Sequence, residues 1–262
     1  MTEPFVTDIR PFAAVLVSAV AILLIIASHR HPNVREFWSV LAALTKFSIV
    51  ASMLPGVLDG EEYRWSSGEF VAGPVGADGG IELALRADPL GMVFALLASF
   101  LWIFTAFYAT GYMRGLNEHG QTRFFASFAA SLSAALGIAF AENLLTIFIF
   151  YELLSVATYP LVAHDETEEA RTAGRKYLAY TFFGGGLLVL SGTALVFAMA
   201  GTTTFGETAT ELAMADPMLA RAAFGLLAAG FGVKAALMPV HSWLPDAMVA
   251  PTPVSGLLHA VA

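Results

Sequence analysis

Three ionisable side chains, Lys46, Glu152 and Lys234, lie inside stretches that are otherwise apolar. A charge in the middle of a membrane helix costs at least about 2.5–3.5 kcal/mol on insertion scales. A partner charge, a water-filled cavity or a function offsets that cost. A glutamate and a lysine on neighbouring helices stabilise each other's charged form, whereas removal from water favours both neutral forms. A balanced pair of this kind can take up or release a proton when a nearby charge moves, which is the chemistry of a proton relay.

A structural role is the alternative for each of these residues. A buried Glu152–Lys234 pair could fix the register of two helices, and Lys46 could extend its long side chain toward headgroups or a wet cavity. Ser155 and Tyr159 follow Glu152 at i+3 and i+7, so they share its helical face. Their hydroxyls could bind the carboxylate or hold water, or they could serve as ordinary contacts between helices.

Prolines cluster after Lys234, at Pro239, Pro245, Pro251 and Pro253. Pro239 lacks an N–H and clashes with the carbonyl four residues earlier, so we expect a helix break between Ala235 and Trp243, with polar groups or water beside it. His241 and His259 flank this stretch. Histidine titrates near neutral pH and suits proton shuttling, although a packing role is an equal alternative. The wide spacing of the two histidines predicts no metal site.

The composition identifies the class of protein. Of 262 residues, 57% are hydrophobic and 13% are charged, whereas soluble domains carry about a quarter charged residues. Both a soluble domain and a disordered chain are therefore excluded. The absence of cysteine excludes disulfides, thiolate zinc sites and iron–sulfur ligation. The net charge of −8, without a basic stripe, gives no reason to expect nucleic acid as a partner.

Apolar stretches of about 20 residues can cross a bilayer as helices. They predict an all-α, polytopic transmembrane helix bundle of seven complete helices and the start of an eighth. The predicted spans are Pro11–Ser28, Phe37–Leu58, Pro89–Met113, Phe124–Ala141, Leu144–Ala163, Tyr177–Ala200 and Ala222–Val240, followed by Thr252–Ala262. The last stretch is too short to cross. We therefore expect a fragment, a helix completed by a second polypeptide, or a helix lying in the interface.

The loop Asp59–Asp88 is the longest between predicted spans. Alternating apolar and polar residues over Ile81–Arg86 indicate a strand, and Asp78-Gly79-Gly80 indicates the turn before it. We predict a short extracytoplasmic β-hairpin there. Lysine and arginine are more numerous in the loops that would be cytoplasmic if the N-terminus is outside. This bias predicts an extracytoplasmic N-terminus for a multi-pass protein of the cell (inner) membrane.

Four segments carry a family resemblance. Phe150–Ser155 (FYELLS) resembles the fifth-helix motif of antiporter-like membrane subunits. Val233–Ala247 (VKAALMPVHSWLPDA) resembles their seventh helix and the following loop, Ala250–His259 the beginning of their eighth helix, and Arg86–Leu90 the beginning of their third. The chain is thereby identified as similar to the proton-conducting membrane subunits of complex I, of Mrp-type Na⁺/H⁺ antiporters and of membrane-bound hydrogenases.

The resemblance implies roles for residues and segments. Glu152 and Lys234 match a pair that moves protons or couples to a neighbouring subunit, and His259 matches a histidine on the relay of some members. The family has fourteen helices with two inverted five-helix repeats. Residues 1–113 would then hold helices 1–3 with the outer hairpin at 59–88. Residues 114–262 would be the first repeat, with helices 4–8 and the eighth truncated. A relay lysine expected a few residues beyond His259 would then be missing, as would the whole second repeat.

These observations favour a membrane subunit of a multisubunit cation/proton antiporter, similar to the Mrp D subunit. The alternative is a proton-translocating subunit of an NADH:quinone oxidoreductase or membrane-bound hydrogenase, and a further alternative is a non-transporting fragment. The expected partners are other membrane subunits, the lipid bilayer, protons and a monovalent cation. No motif for a nicotinamide or flavin is present, so we expect no cofactor and no redox chemistry in this chain. Whether the complex itself is an enzyme stays open.

Overall fold

The computed structural model describes residues 5–71 and 81–260 of the chain. Most of them are helical, in agreement with the prediction from the apolar stretches. The α-helices are α1 (Arg10–Ala27), α2 (Pro32–Leu58), α3 (Pro89–Gly115), α4 (Gln121–Ala139), α5 (Leu144–Val162), α6 (Glu168–Leu178), α7 (Leu187–Ala200), α8 (Glu207–Met214), α9 (Pro217–Lys234), α10 (Trp243–Ala247) and α11 (Thr252–Ala260). A π-helical segment, Ala179–Gly186, joins α6 to α7 without interruption.

Six of the described helices are long and apolar enough to cross a membrane. They are α1, α2, α3, α4, α5 and the continuous helix Glu168–Ala200. The first five correspond to predicted spans, and the sixth begins earlier than the predicted Tyr177. The α9 helix, with Arg221 and Lys234 near its ends, is not among the six. The count of seven complete helices and a started eighth therefore stays a prediction.

Polar residues at the helix starts explain several boundaries. The Asp88 side chain accepts a hydrogen bond from the Gly91 amide (2.6 Å) at the start of α3. Asp216 accepts one from the Met218 amide (2.7 Å) at the start of α9. Both aspartates precede a proline at the first helical position, where its missing N–H costs nothing. Asn143 caps α5 in the same way. These caps fix where the functional helices begin.

A three-stranded sheet covers one end of the bundle. Strand β1 (Phe5–Thr7) pairs in parallel with β2 (Glu62–Val71), and β2 pairs antiparallel with β3 (Ile81–Ala87). The predicted strand Ile81–Arg86 lies within β3, whereas β1 was not predicted because three residues are too few for an alternating pattern. The predicted turn Asp78-Gly79-Gly80 lies outside the described residues.

The sheet is fastened to the segment between α4 and α5. The Arg86 amide donates to the Phe140 carbonyl (2.5 Å), and the Glu142 amide donates to the Ala84 carbonyl (3.1 Å). The Phe205 amide donates in turn to the Glu142 carbonyl (3.1 Å). The sheet, residues 140–143 and residues 201–208 therefore share one end of the bundle, which we call the sheet end. The loop end, opposite, holds residues 28–31, 116–120 and 163–167.

This arrangement predicts the outcome of cysteine labelling. Ser67 and Glu211 are exposed near the sheet end, and Glu169 is exposed near the loop end. Because the chain has no cysteine of its own, each single cysteine variant reports one position. We expect an impermeant maleimide to label Ser67→Cys and Glu211→Cys from one side of the membrane and Glu169→Cys only from the other. Labelling of all three from the same side would contradict the topology.

An ion-pair network holds the sheet end together. The Arg64 Nε atom donates to the Glu142 carboxylate (2.7 Å), and the same guanidinium pairs with Glu82. The side chain of Glu142 is only 4% exposed. Burial raises the pKa of the Glu142 carboxyl above its ordinary value, although Arg64 acts in the opposite direction. Arg64 thus stabilises the charged form of the Glu142 carboxylate, whereas burial alone favours the protonated form.

The raised pKa of Glu142 gives the effect of removing Arg64 a pH dependence. The folded protein binds a proton at Glu142 more readily than the unfolded chain, so this group's contribution to stability falls as the pH rises through its pKa. Without Arg64 this loss of stability with rising pH is larger, because the pKa of Glu142 is then raised further. We expect Arg64→Gln to lower the melting temperature in detergent more at pH 8 than at pH 5, by about 2–4 °C for each kcal/mol lost.

The matched control for this variant removes the buried charge as well. Arg64→Gln with Glu142→Gln should recover part of the melting temperature at pH 8 and show a weaker pH dependence, because no carboxylate then needs a cation at this position. If Arg64→Gln lowers the melting temperature equally at pH 5 and pH 8, the loss does not come from the charge on Glu142.

Candidate functional site

Lys234 is the last residue of α9, and α5 holds its side chain. The Lys234 Nζ atom donates to the Ser155 hydroxyl (2.8 Å) and, at 3.4 Å, to the Tyr151 carbonyl. The same ammonium group lies 4.6 Å from the centre of the Tyr151 ring. One helix therefore supplies a hydroxyl, a carbonyl and an aromatic face to this cation, which is half-buried.

The chain leaves the helical conformation directly after Lys234. Ala236 has a positive φ of 51°, and the Leu237 amide donates back to the Gly232 carbonyl (2.9 Å). The Ala236 amide donates to the Val233 carbonyl (3.1 Å), which completes a Schellman cap. Residues 235–242 are not helical, and α10 begins at Trp243.

The physical cause of this break differs from the one that the sequence suggested. The prediction attributed the break to Pro239 and expected a carbonyl near Ala235 to need water. In the structure the cap at Ala236 ends α9 before Pro239 is reached. The Val233 carbonyl additionally accepts a hydrogen bond from the Trp243 indole N–H (2.8 Å). Protein groups therefore satisfy the backbone beside Lys234.

The Glu152 side chain faces the π-helical segment. Both of its carboxylate oxygens are buried, and neither has a hydrogen-bond partner among the described residues. A Cβ atom at Gly186 would overlap this carboxylate. At the adjacent Gly185, a Cβ would overlap the Tyr151 hydroxyl, which donates to the Gly230 carbonyl (3.1 Å). The two glycines therefore allow α5 to lie close to the π-helical segment.

Glu152 and Lys234 approach the same region from different sides. Both lie where α5, the π-helical segment and α9 pack together, but no ion pair joins them within the described part of the chain. Lys234 contacts the Tyr151 and Ser155 side of α5, whereas Glu152 faces Gly186. Of the direct or water-mediated contact expected from the sequence, the direct ion pair is therefore not formed among the described residues. Each of the two side chains has a polar or backbone neighbour.

A cavity of about 700 Å³ opens beside Lys234. Side chains from α3, α4, α5 and α9 line it together with residues of the C-terminal segment. Its polar lining comes from Lys234, Tyr151 and His259. His259 thus reaches the same space as Lys234. His241 is exposed and is not among the lining residues, so the structure brings together only one of the two predicted histidines with the lysine.

A buried polar row continues along α5 from the site. The Thr158 hydroxyl and the Tyr177 hydroxyl are 2.5 Å apart, and both residues are fully buried. Tyr151, Ser155 and Thr158 follow one another at i, i+4 and i+7, so they share a face of α5. Tyr151, Thr158 and Tyr177 were not among the site residues predicted from the sequence. That spacing, in a helix that is otherwise apolar, is the signal that could have identified the first two.

Two supporting residues from the sequence analysis lie outside this cavity. The Tyr159 ring packs against Gly174 of α6, where a Cβ would meet its Cε2 atom at 2.9 Å. Lys46 is completely buried between α2 and α4. Its Nζ atom donates to the Leu132 carbonyl (3.1 Å) and lies 5.1 Å from the centre of the Trp102 ring. The ammonium group of Lys46 is therefore held inside the helix bundle.

Family models match two parts of the chain. The model described as NADH:quinone oxidoreductase/Mrp antiporter, TM, matches residues 141–262. The model described as NADH-ubiquinone oxidoreductase (complex I), chain 5 N-terminus, matches residues 76–125. Together these matches cover more than half of the chain and include Glu152, Lys234 and His259.

Curated relatives agree with the family models. The putative antiporter subunit mnhA2 of Staphylococcus haemolyticus is 33% identical over 69% of this chain and 22% of that protein. NAD(P)H-quinone oxidoreductase subunit 5 of Paulinella chromatophora is 32% identical over 84% of this chain and 33% of that protein. The chain therefore spans about a fifth to a third of the length of these relatives. The antiporter relative is named subunit mnhA2, whereas the sequence analysis pointed to a D subunit.

Two solved structures share the fold. A chain of an archaeal membrane-bound sulfane sulfur reductase superimposes with a TM-score of 0.80 at 19% identity, over 95% of this chain and 49% of that one. A chain of respiratory complex I from Thermus thermophilus gives 0.69 at 23% identity, over 95% and 52%. The motifs, the family models and the relatives agree: the chain belongs to the NADH:quinone oxidoreductase/Mrp antiporter family of membrane subunits.

Proposed function

We propose that the chain acts as a membrane subunit of a multisubunit cation/proton antiporter, in which Lys234 carries protons. One observation supports this role above the others: Lys234 ends an interrupted helix at the edge of a cavity, with its ammonium group bound by α5. Interrupted helices form the ion sites of many transporters, because unwound backbone is tolerated only inside protein or beside water.

The cavity beside Lys234 suits proton movement. Its volume of about 700 Å³ corresponds to roughly twenty water molecules in the liquid. A proton that leaves Lys234 would pass through water in this cavity toward His259, whose side chain lines the same space. The Ser155 hydroxyl accepts a hydrogen bond from the ammonium group of Lys234, which lines the cavity. His241 does not line this cavity, so it would act at most at the end of such a path.

Glu152 has a different part in this proposal. Its buried carboxylate has no hydrogen-bond partner within the described residues, so its charge is governed by neighbouring charges and by any water that reaches it. A change in the charge on Glu152 would alter the proton affinity of Lys234 through space, without direct contact. Glu152 is therefore the residue through which a neighbouring subunit or a moving cation would act on the lysine.

The assembly and its placement belong to the same proposal. The partners would be other membrane subunits of one complex, the lipid bilayer, protons and a monovalent cation. We place the N-terminus and the sheet end on the extracytoplasmic side of the cell (inner) membrane. Residues 1–113 would form the N-terminal helices with the outer hairpin at 59–88, and residues 114–262 would belong to the first repeat, from helix 4 into helix 8.

The second candidate is a proton-translocating subunit of an NADH:quinone oxidoreductase or membrane-bound hydrogenase. The subunit 5 relative, which matches more of this chain than the antiporter relative does, favours it. The energy source distinguishes the two. In vesicles that carry the assembled complex, an antiporter dissipates an imposed pH gradient when Na⁺ or K⁺ is added. An oxidoreductase instead builds the gradient from NADH and a quinone. If neither response is observed, the remaining alternative is that the chain does not transport.

A further inference from the structure

Three metal-binding side chains meet at the loop end, away from the proposed relay. Glu118 and His119 follow α3, and His164 follows α5. One ligand atom from each lies within 4.8 Å of the other two. A Glu118 carboxylate oxygen is 4.0 Å from the His119 Nδ1 atom and 4.0 Å from the His164 Nε2 atom. Residues distant in sequence therefore direct two imidazoles and a carboxylate at one point.

His164 supplies independent support for a ligand at this point. Its side chain is completely buried, and both ring nitrogens have no hydrogen-bond partner within residues 5–71 and 81–260. Burying a polar group without a hydrogen bond costs free energy that a folded protein rarely leaves uncompensated. The His119 ring stacks on the His164 ring with their centroids 5.0 Å apart. A bound cation would satisfy a nitrogen of the buried ring.

Hydrogen bonds tie down the surrounding loops, and the neighbouring Arg123 bonds to groups other than the imidazoles. The Glu118 amide donates to the Met113 carbonyl (2.9 Å), and the Gln121 side chain donates to the Glu118 carbonyl (3.1 Å). Arg123 donates to the main-chain carbonyl of His164 (3.0 Å) and pairs with Glu166. Its hydrogen bonds therefore go to neither imidazole, and its charge is partly offset by Glu166.

We propose that Glu118, His119 and His164 bind one divalent transition-metal ion of the Zn²⁺ type. Zn–N and Zn–O distances of about 2.0–2.2 Å place tetrahedral ligands roughly 3.3 Å apart. The observed separations exceed this by less than about 1.5 Å, a difference that side-chain rotation can close. Water would complete the coordination. The ion would join the α3–α4 loop to the α5–α6 loop, and this site is independent of the proposed transport function.

Cobalt is a suitable probe because Co²⁺ bound by imidazole and carboxylate absorbs visible light. We expect the full chain, purified in detergent, to bind one Co²⁺ that Zn²⁺ displaces. His119→Ala and Glu118→Gln should each weaken binding at least about tenfold. Both positions are at least partly exposed, so these variants should fold. Zn²⁺ should also raise the melting temperature of the wild type but not of the variants.

The matched control removes two other histidines from the same end. His29 and His31 are exposed and separated by a single residue, so they could bind a metal on the surface. The variant His29→Ala/His31→Ala should retain the Co²⁺ spectrum and affinity. Wild-type affinity in both His119→Ala and Glu118→Gln, loss of binding in the His29/His31 variant, or failure of the wild type to bind Co²⁺ or Zn²⁺ would overturn the proposal.

Discussion

Lys234→Ala is expected to reduce proton-coupled cation transport to the background of vesicles that lack the complex, while the complex still assembles. Alanine removes the ammonium group that binds Ser155 and borders the cavity, and no other lysine or arginine lines that cavity among the described residues. Transport would be followed as the recovery of a quenched pH-sensitive dye when Na⁺ or K⁺ is added to energised vesicles. The amount of each subunit in the membrane would be measured in parallel.

Arg221→Ala is the matched control for Lys234→Ala. Arg221 belongs to the same helix and is exposed near its beginning, so its removal changes the charge of α9 without touching the cavity. We expect wild-type transport from it. Normal transport by Lys234→Ala would reduce the lysine to a structural residue. Equal loss in both variants would show that the charge of α9, rather than the position of Lys234, is what matters.

The helices were predictable because their determinants are local. An apolar stretch of about 20 residues predicts a membrane-spanning helix from its own composition. The dipeptides Asp88-Pro89 and Asp216-Pro217 mark helix starts through the capping side chain alone. Strand β1 was not predictable, since its pairing with Glu62–Arg64 depends on a partner more than fifty residues away. The break after Lys234 was predicted from prolines, whereas the structure ends the helix with a cap at Ala236. Alanine rarely adopts this left-handed conformation, so no local rule identified it.

The sequence supplied candidate residues for the site but did not determine their contacts. The sequence singled out Glu152, Lys234, Ser155 and His259 because polar groups are costly in an apolar helix. Spacing of i and i+3 places Glu152 and Ser155 on one broad face, but it leaves the rotation of α5 undetermined. In the structure Ser155 meets Lys234, and Glu152 meets the π-helical segment. The sequence alone therefore could not decide which of the two residues on α5 contacts the lysine.

The contact between Glu152 and Gly186 leads to a second large expected effect. Gly186→Ala would introduce a methyl group into the space that the Glu152 carboxylate occupies, and the carboxylate would have to leave its buried position. We expect transport to fall to the level of Glu152→Gln, which keeps the shape of the side chain but removes its charge. The measurement is the same dye assay, with subunit abundance as the check on assembly.

Gly184→Ala makes this prediction specific to the carboxylate. Gly184 lies in the same π-helical segment, but a Cβ there meets only the Ala179 carbonyl, at an ordinary 3.4 Å. Alanine is favoured over glycine in a helix by about 1 kcal/mol, and this gain applies to both variants, so their difference isolates the contact with Glu152. In a Glu152→Ala background, Gly186→Ala should cause no further loss, because the side chain that it displaces is gone. Equal transport by Gly184→Ala and Gly186→Ala would mean that the position of the Glu152 carboxylate does not matter, and the charge coupling proposed between Glu152 and Lys234 would then have no structural basis.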